Sequence, residues 1–375
     1  MPLPLAAVFA DLPDPRRETA NTRHALTDIL TVAVCAVISG AGGWEQIAEY
    51  GRRKQAFFRR FLALPNGIPS HDTFCRVFCA LDPAAFAAAF GRWMAAACDG
   101  TGLVPVAIDG KAVRGAVRGN ATGCLCVVSA WATGNRPTLG QVAVPDGTGE
   151  VGVIPELPRT LDLAGAIVTL DAAGCQTGNA AIVRERGGHC LLAVKGNRPG
   201  LLAAVGRVFA DACERDFVGV AADVSESADD AHGRREERYA TVVYDPAGLP
   251  AGWTDAAAVV QVNRVREIGG ERAESTHDCL TSHAGSADEL AGFVRGHWGI
   301  ESGLHWVLDV AFREDESRTR NLNGGANLAL LRRVAVSLLQ RAPGKGGIQI
   351  KRLTAAWDDE FLLAVLRGIP AENSA

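Results

Sequence analysis

Two aspartates close short apolar runs, positions where a chain turn can hold a carboxylate at the edge of a sheet. Asp109 follows Leu103 to Ile108, in Ala107-Ile108-Asp109-Gly110-Lys111, and Asp171 follows Ala166 to Leu170, in Val168-Thr169-Leu170-Asp171-Ala172. Taken singly, an aspartate after a strand is a turn or capping residue. Two held side by side repel unless a cation lies between them. Hard divalent ions such as Mg²⁺ or Mn²⁺ prefer such oxygen donors. Glu301 is the candidate third ligand, in His297-Trp298-Gly299-Ile300-Glu301-Ser302-Gly303-Leu304-His305-Trp306. On an unbroken helix His297, Glu301, His305 and Asp309 stack at i, i+4 spacing. A half-exposed amphipathic helix is the plainer use of such a row. Three carboxylates of this kind suit two ions roughly 4 Å apart, the arrangement that serves phosphoryl transfer. A zinc site on His297 and His305 is a rival, but their eight-residue separation and the lack of a nearby Cys disfavour it.

The elements that would position these acids follow from periodicity. Residues 1–98 read as helical: Leu26, Ile29, Leu30, Ala33, Val34 and Val37 recur at helical spacing, and a second helix runs from Trp44 to about Leu64. Ser70 is a plausible N-cap for a third, with Phe74, Val77, Phe78 and Leu81 on one face and Asp72 and Arg76 on the other. Asp82-Pro83 opens a fourth. The turn before Ser70 makes this resemble a helix-turn-helix unit, with a plain helical bundle as the alternative. From residue 103 the pattern changes to strands near 103–108, 124–133 and 139–144, a helix near 155–161, a strand at 166–170, a helix at 176–186, a strand at 190–194 and a helix from Pro199. Three meandering strands followed by strands with helical crossovers is the ribonuclease H-like order, in which the first and fourth strands are neighbours. The expected fold class is therefore α/β with a ribonuclease H-like core. Residues 220–283 read as a mostly β insertion, after which helix resumes near Ala287 and passes through Glu301. The expected division is 1–98, 103–345 and a tail at 346–375.

Composition is globular, 48% hydrophobic and 21% charged in 375 residues, with a net charge of −4. A mildly acidic average counts against a nucleic-acid partner, but local basic runs matter more. One holds Arg52, Arg53, Lys54, Arg59 and Arg60; another, Ser317 to Arg352, has eight basic residues and no acid. A solvated helix face is the plain reading of either. The ten cysteines lack zinc-site spacing and read as free thiols in a reducing compartment. With no apolar run long enough to span a bilayer and with Asp11 and Asp14 near the start, a cytoplasmic protein is expected.

At these residues the chain resembles the insertion-sequence DDE transposases of the ISAs-one family, which includes the H-repeat-associated proteins and belongs with the IS-four-like group. The resemblance covers nearly the whole chain. It rests on Asp14-Pro15-Arg16, Pro69-Ser70-His71-Asp72-Thr73-Phe74, Ile108-Asp109-Gly110-Lys111 with Arg114-Gly115, Val168-Thr169-Leu170-Asp171-Ala172, Lys195-Gly196-Asn197, and His232-Gly233-Arg234. Its most specific stretch runs from His297-Trp298 and Ile300-Glu301 through Leu304-His305-Trp306, Leu308-Asp309-Val310, Glu314-Asp315, Arg318 and Arg320. The resemblance implies Asp109, Asp171 and Glu301 as catalytic, metal-binding acids, two-ion chemistry with Mg²⁺ or Mn²⁺, and double-stranded DNA as partner, both element ends and target. It implies cleavage and strand transfer, a homodimer in the DNA complex, and nucleoid association. Candidate DNA contacts are Arg76, Lys111, Arg114, Lys195, His297, Trp298, His305, Arg313, Arg318 and Arg320. Departures from the family pattern are Ser302 for Asn, Gly147-Thr148-Gly149 before Glu150 for Lys-Ser-Asn, and Val294, His297 and Leu308 for the wider group's Tyr, Arg and Lys. A catalytically decayed or repurposed DNA-binding copy, or a simple nuclease of the same fold, are the alternatives.

Overall fold

The computed structural model describes residues 8–9, 11–17, 22–95, 103–117, 123–134, 137–231 and 234–367. The expected junction at residues 98–102 and the His232-Gly233 pair lie outside the described residues. The chain divides into two compact units that do not follow its linear order. One comprises Met1–Asp99, Gly110–Thr160 and Ile300–Ala375; the other comprises Gly100–Asp109 and Leu161–Gly299.

In the first unit, the helix Leu26–Ile38 is buried on nearly every side, as an all-round apolar helix must be. It packs on the long helix Leu322–Arg341, whose central residues are buried throughout. The helix His71–Ala80 begins at Ser70 as expected: the Ser70 hydroxyl accepts the Thr73 N–H at 3.3 Å, and Phe74, Val77 and Phe78 face the core while Asp72 and Arg76 are exposed. Pro83–Ala95 follows, with Asp82 Oδ1 accepting the Ala84 N–H. The expected helix from Trp44 to Leu64 is instead two, Trp44–Arg53 and Gln55–Phe58. The expected tail also differs. Ile348–Trp357 and Asp359–Arg367 are helices, because Leu362, Leu363, Val365 and Leu366 find apolar cover.

Strands β1 (Val104–Val117), β2 (Cys124–Ala132), β3 (Thr138–Ala143), β4 (Ala166–Leu170), β5 (His189–Val194), β6 (Ala222–Ala231), β7 (Arg234–Tyr244), β8 (Ala258–Ile268) and β9 (Glu271–Thr281) follow the sheet order β3-β2-β1-β4-β5-β9-β8-β7-β6. β1 passes from one unit to the other between Asp109 and Gly110. In the second unit β1, β4 and β5 are parallel, and every residue of β4 is buried, as a strand covered on both faces requires. The helix Thr177–Glu185 connects β4 to β5. Residues 222–281, read from the sequence as mostly β, hold the antiparallel meander β6–β9. It joins the sheet through β9, which pairs with β5.

β1 does not end at Asp109. It runs eight residues further, to Val117, with Lys111, Val113 and Ala116 facing inward and Ala112, Arg114 and Val117 outward. Val113 and Ala116 pack with Leu125, Val127 and Ala329. The apolar alternation is hard to see in the sequence because a lysine holds one of the buried positions. Among the described residues no single helix is long and apolar enough to cross a membrane.

Candidate active site

The register of β1 on β4 pairs Val104 with Ala166 and so on to Ile108 with Leu170. The next residues are Asp109, still within β1, and Asp171, the first residue past β4. Neighbouring strands lie roughly 5 Å apart, so the pair stands level on adjoining strands, each residue half-buried. The turn after Asp171 is pinned by three hydrogen bonds. Asp171 Oδ1 accepts the Gly174 N–H at 3.0 Å, Asn197 donates to the Ala172 carbonyl at 2.6 Å, and buried Asn179 donates to the Gly174 carbonyl at 2.9 Å. Asp171 thus has the turn role its type suggests. Asn197 closes Lys195-Gly196-Asn197, which gives that triplet a structural purpose.

His297 belongs to the same unit. It is buried and hydrogen-bonds Thr169 Oγ1 through Nδ1 at 2.9 Å. Burial lowers its pKa and the Lys195 ammonium adds to this, while the Asp171 carboxylate and the bond to Thr169 pull it upward. His297 is thus an interior ring fixed by Thr169. Trp298, by contrast, is 42% exposed, and the exposed Lys195 ammonium sits 5.6 Å from its ring centroid. A cavity of about 40 Å³ is lined by Thr169, Lys195, His277, Asp278, His297 and Trp298, among others.

Glu301 belongs to the first unit, and its local structure differs from the expected straight helix. The helix Ala287–His297 ends at Trp298, and Glu301–His305 form a π-helical turn before Trp306–Val310 resumes as α-helix. Such a turn carries an extra residue and is frequent at functional sites. The i, i+4 row is therefore interrupted. Glu301 and Trp306 are exposed, whereas His305 is largely covered and burial, with the Arg333 and Lys111 charges, pushes its pKa down to about 3. Gly303 allows the π turn to lie on β2: a β-carbon there would stand 2.7 Å from the ring of buried Trp131. Gln340 Nε2 donates to the Gly303 carbonyl at 2.8 Å, satisfying a backbone group of the irregular turn.

The other candidate contacts divide by exposure. Arg76, Arg114, Arg318 and Arg320 are exposed; Arg313 is exposed too, in the left-handed region with φ 51°, and pairs with Glu316 at 2.6 Å. Lys111, expected to meet phosphate, is instead 7% exposed, with Asp309 at 2.7 Å and Asp315 at 3.3 Å. The long basic run is likewise not one surface. Arg332, Arg333 and Arg352 are interior, Arg333 bonding Glu314 at 2.9 Å and Ser129 at 2.9 Å, and Arg352 donating to the Val37 and Ala311 carbonyls. The shorter run is largely neutralised: Arg52 and Arg53 pair with Glu49, Lys54 with Asp359 and Arg60 with Glu360. Sequence reasoning gave no role to Thr169, Trp131 or Gln340, none of which carries a local signal of it.

Residues 100–338 match the family described as the transposase DDE domain, and residues 6–94 match the region described as DDE_Tnp_1-associated. This chain is a member of the DDE transposase family. The H repeat-associated putative transposase YhhI of Escherichia coli K12 is 33% identical over 361 residues, 94% of this chain and 95% of that protein. An uncharacterized protein in the dhlA 3′ region of Xanthobacter autotrophicus is 40% identical over 278 residues, 73% of this chain and 93% of the relative. The helices before residue 95 thus belong to the transposase as much as the sheet does. DNA is the substrate class of this family.

Proposed function

We propose that this transposase cuts and joins DNA at insertion-sequence ends with Asp109, Asp171 and Glu301 holding divalent metal in a ribonuclease H-like core. The observation that carries the reading is the parallel register that sets Asp109 and Asp171 level where β4 stops. Among the described residues no three His, Cys, Asp or Glu side chains already form a metal-holding cluster. The aspartate pair nevertheless fits a hard divalent ion by donor type, with Glu301, exposed on its π turn, as the third ligand. Bound Mg²⁺ or Mn²⁺, two ions in the full form of the reading, would supply an activated water and charge stabilisation at the phosphodiester.

The chain's own residues do the rest. Lys195 offers a point charge to phosphate, and Trp298 offers an exposed ring face on which a base can stack. His297, held by Thr169, keeps the helix end beside the Asp171 turn. Exposed Arg76, Arg114, Arg318 and Arg320 are phosphate contacts, and the protein acts on DNA as a homodimer. Incubating the protein with inverted-repeat ends, target DNA and Mg²⁺ or Mn²⁺ should give both nicked ends and joined products. Cleavage without joining would indicate a simple nuclease, and binding with neither would indicate a repurposed DNA-binding protein.

A further inference from the structure

Lys111 sits two residues beyond Asp109 on the same strand, yet its ammonium faces away from solvent at 7% exposure. It lies 2.7 Å from Asp309 Oδ1, an ion pair without aligned hydrogen-bond geometry, and donates to Asp315 Oδ1 at 3.3 Å. Asp315 Oδ1 also accepts the Arg114 backbone N–H at 3.2 Å, and its Oδ2 lies 3.4 Å from Arg114 Nε. The backbone presses equally close: a β-carbon on Gly115 would stand 2.5 Å from the Asp315 carbonyl oxygen and 2.8 Å from that of Ser317. The stretch 309–317 is thus clamped onto residues 111–115 of β1. Asp309 is on the helix Trp306–Val310, which continues directly from the π turn bearing Glu301.

A buried ammonium shared by two carboxylates costs desolvation, and hydrophobic packing would serve stability as well or better. What such a pair does supply is register, because removing either charge leaves the other uncompensated and shifts the elements it joins. We propose that Lys111, with Asp309 and Asp315, is a positioning group that fixes the Glu301 helix segment against residues 111–115 of β1. The proposal rests on the reading of Asp109 and Glu301 as catalytic acids. Lys111 touches neither DNA nor metal in this role; it acts through the placement of Glu301.

The test compares single-turnover cleavage of end DNA by the wild-type protein, Lys111→Met, Asp309→Asn, the double variant and Asp109→Asn. End-DNA affinity, its salt dependence and thermal melting are measured alongside. Misplacement by about 1 Å can cost on the order of a hundredfold in rate, so each single variant should cut at least about tenfold more slowly while binding DNA within about twofold of wild type. The double variant should be no slower than the slower single, since Lys111→Met already breaks the Lys111–Asp309 contact that Asp309→Asn removes. Asp309→Asn keeps shape and the Lys111–Asp315 contact, so it reports even if Lys111→Met melts below assay temperature. Wild-type rates in a folded Asp309→Asn or Lys111→Met protein would overturn the proposal and leave the catalytic acids standing. So would a fall in affinity accompanied by a salt slope reduced by about one, the mark of a lost phosphate contact. A wild-type protein no more active than Asp109→Asn would sink the catalytic reading itself, and the positioning role with it.

Discussion

At the scale of single residues, two positions close to Glu301 in the chain make the site's geometry testable. Gly303 lies where only a hydrogen fits against Trp131. Gly303→Ala should displace the π turn, slow cleavage about tenfold or more, and cost about 1–3 kcal/mol from overpacking; denaturant unfolding and a cleavage time course measure both. An alanine variant with wild-type cleavage would mean that the turn tolerates movement without consequence. His305 gives a pH prediction. Its folded pKa is about 3, below the ordinary histidine value of about 6.5. The unfolded chain therefore binds a proton that the folded chain refuses between these limits. Stability from this group is complete above about pH 6.5 and is lost as pH falls toward 3. Urea midpoints at pH 5 and 7 should drop on acidification in the wild type, and drop less in His305→Gln. Equal drops would show that His305 is not the group held neutral.

At the scale of elements, the segment after the Glu301 turn is also anchored by a fully interior ion pair. Glu314 and Arg333 are both fully buried and bonded at 2.9 Å, with Ser129 bonding the same guanidinium. Glu314→Gln leaves Arg333, and Arg332 at 3.9 Å, without a counter-charge. Loss of about 3–5 kcal/mol is expected from breaking such a pair, read as a lower denaturant midpoint; a change under about 1 kcal/mol would show that the pair relaxes at little cost. Much at this scale was legible in the sequence. The apolar run of β4, the Ser70 cap with its Phe74, Val77 and Phe78 face, and the strand–helix alternation carry local signals. The second half of β1 did not, because Lys111 can be buried only where Asp309 and Asp315 receive it. The π turn was hidden for the same kind of reason: Gly303 meets Trp131 and Gln340, both distant in sequence. The basic run from Ser317 to Arg352 misled as a surface patch because burial of Arg332, Arg333 and Arg352 depends on tertiary partners.

At the scale of the whole molecule, the proposed acids come from three separate stretches of the chain: β1, the turn after β4 and the π turn. A net charge of −4 leaves DNA binding to local exposed arginines. Arg76→Ala, on an exposed face of the Ser70-capped helix, should weaken end binding and reduce the salt slope by about one without altering the cleavage rate of bound DNA. An unchanged affinity and slope would remove that helix from the interface. The level pairing of Asp109 with Asp171 follows the expected neighbouring strands, whereas the continuation of β1 past Asp109 and the π turn at Glu301 were not legible. The most direct test of the account is single-turnover cleavage of end DNA by Asp109→Asn under saturating Mg²⁺, with binding measured on the same protein. A neutral amide keeps the shape but is a poorer ligand for a hard cation, so cleavage should fall more than about a hundredfold, beyond what loss of a group merely orienting a metal ligand costs, with affinity retained. Cleavage at the wild-type rate would make Asp109 a structural residue of β1 and contradict the account.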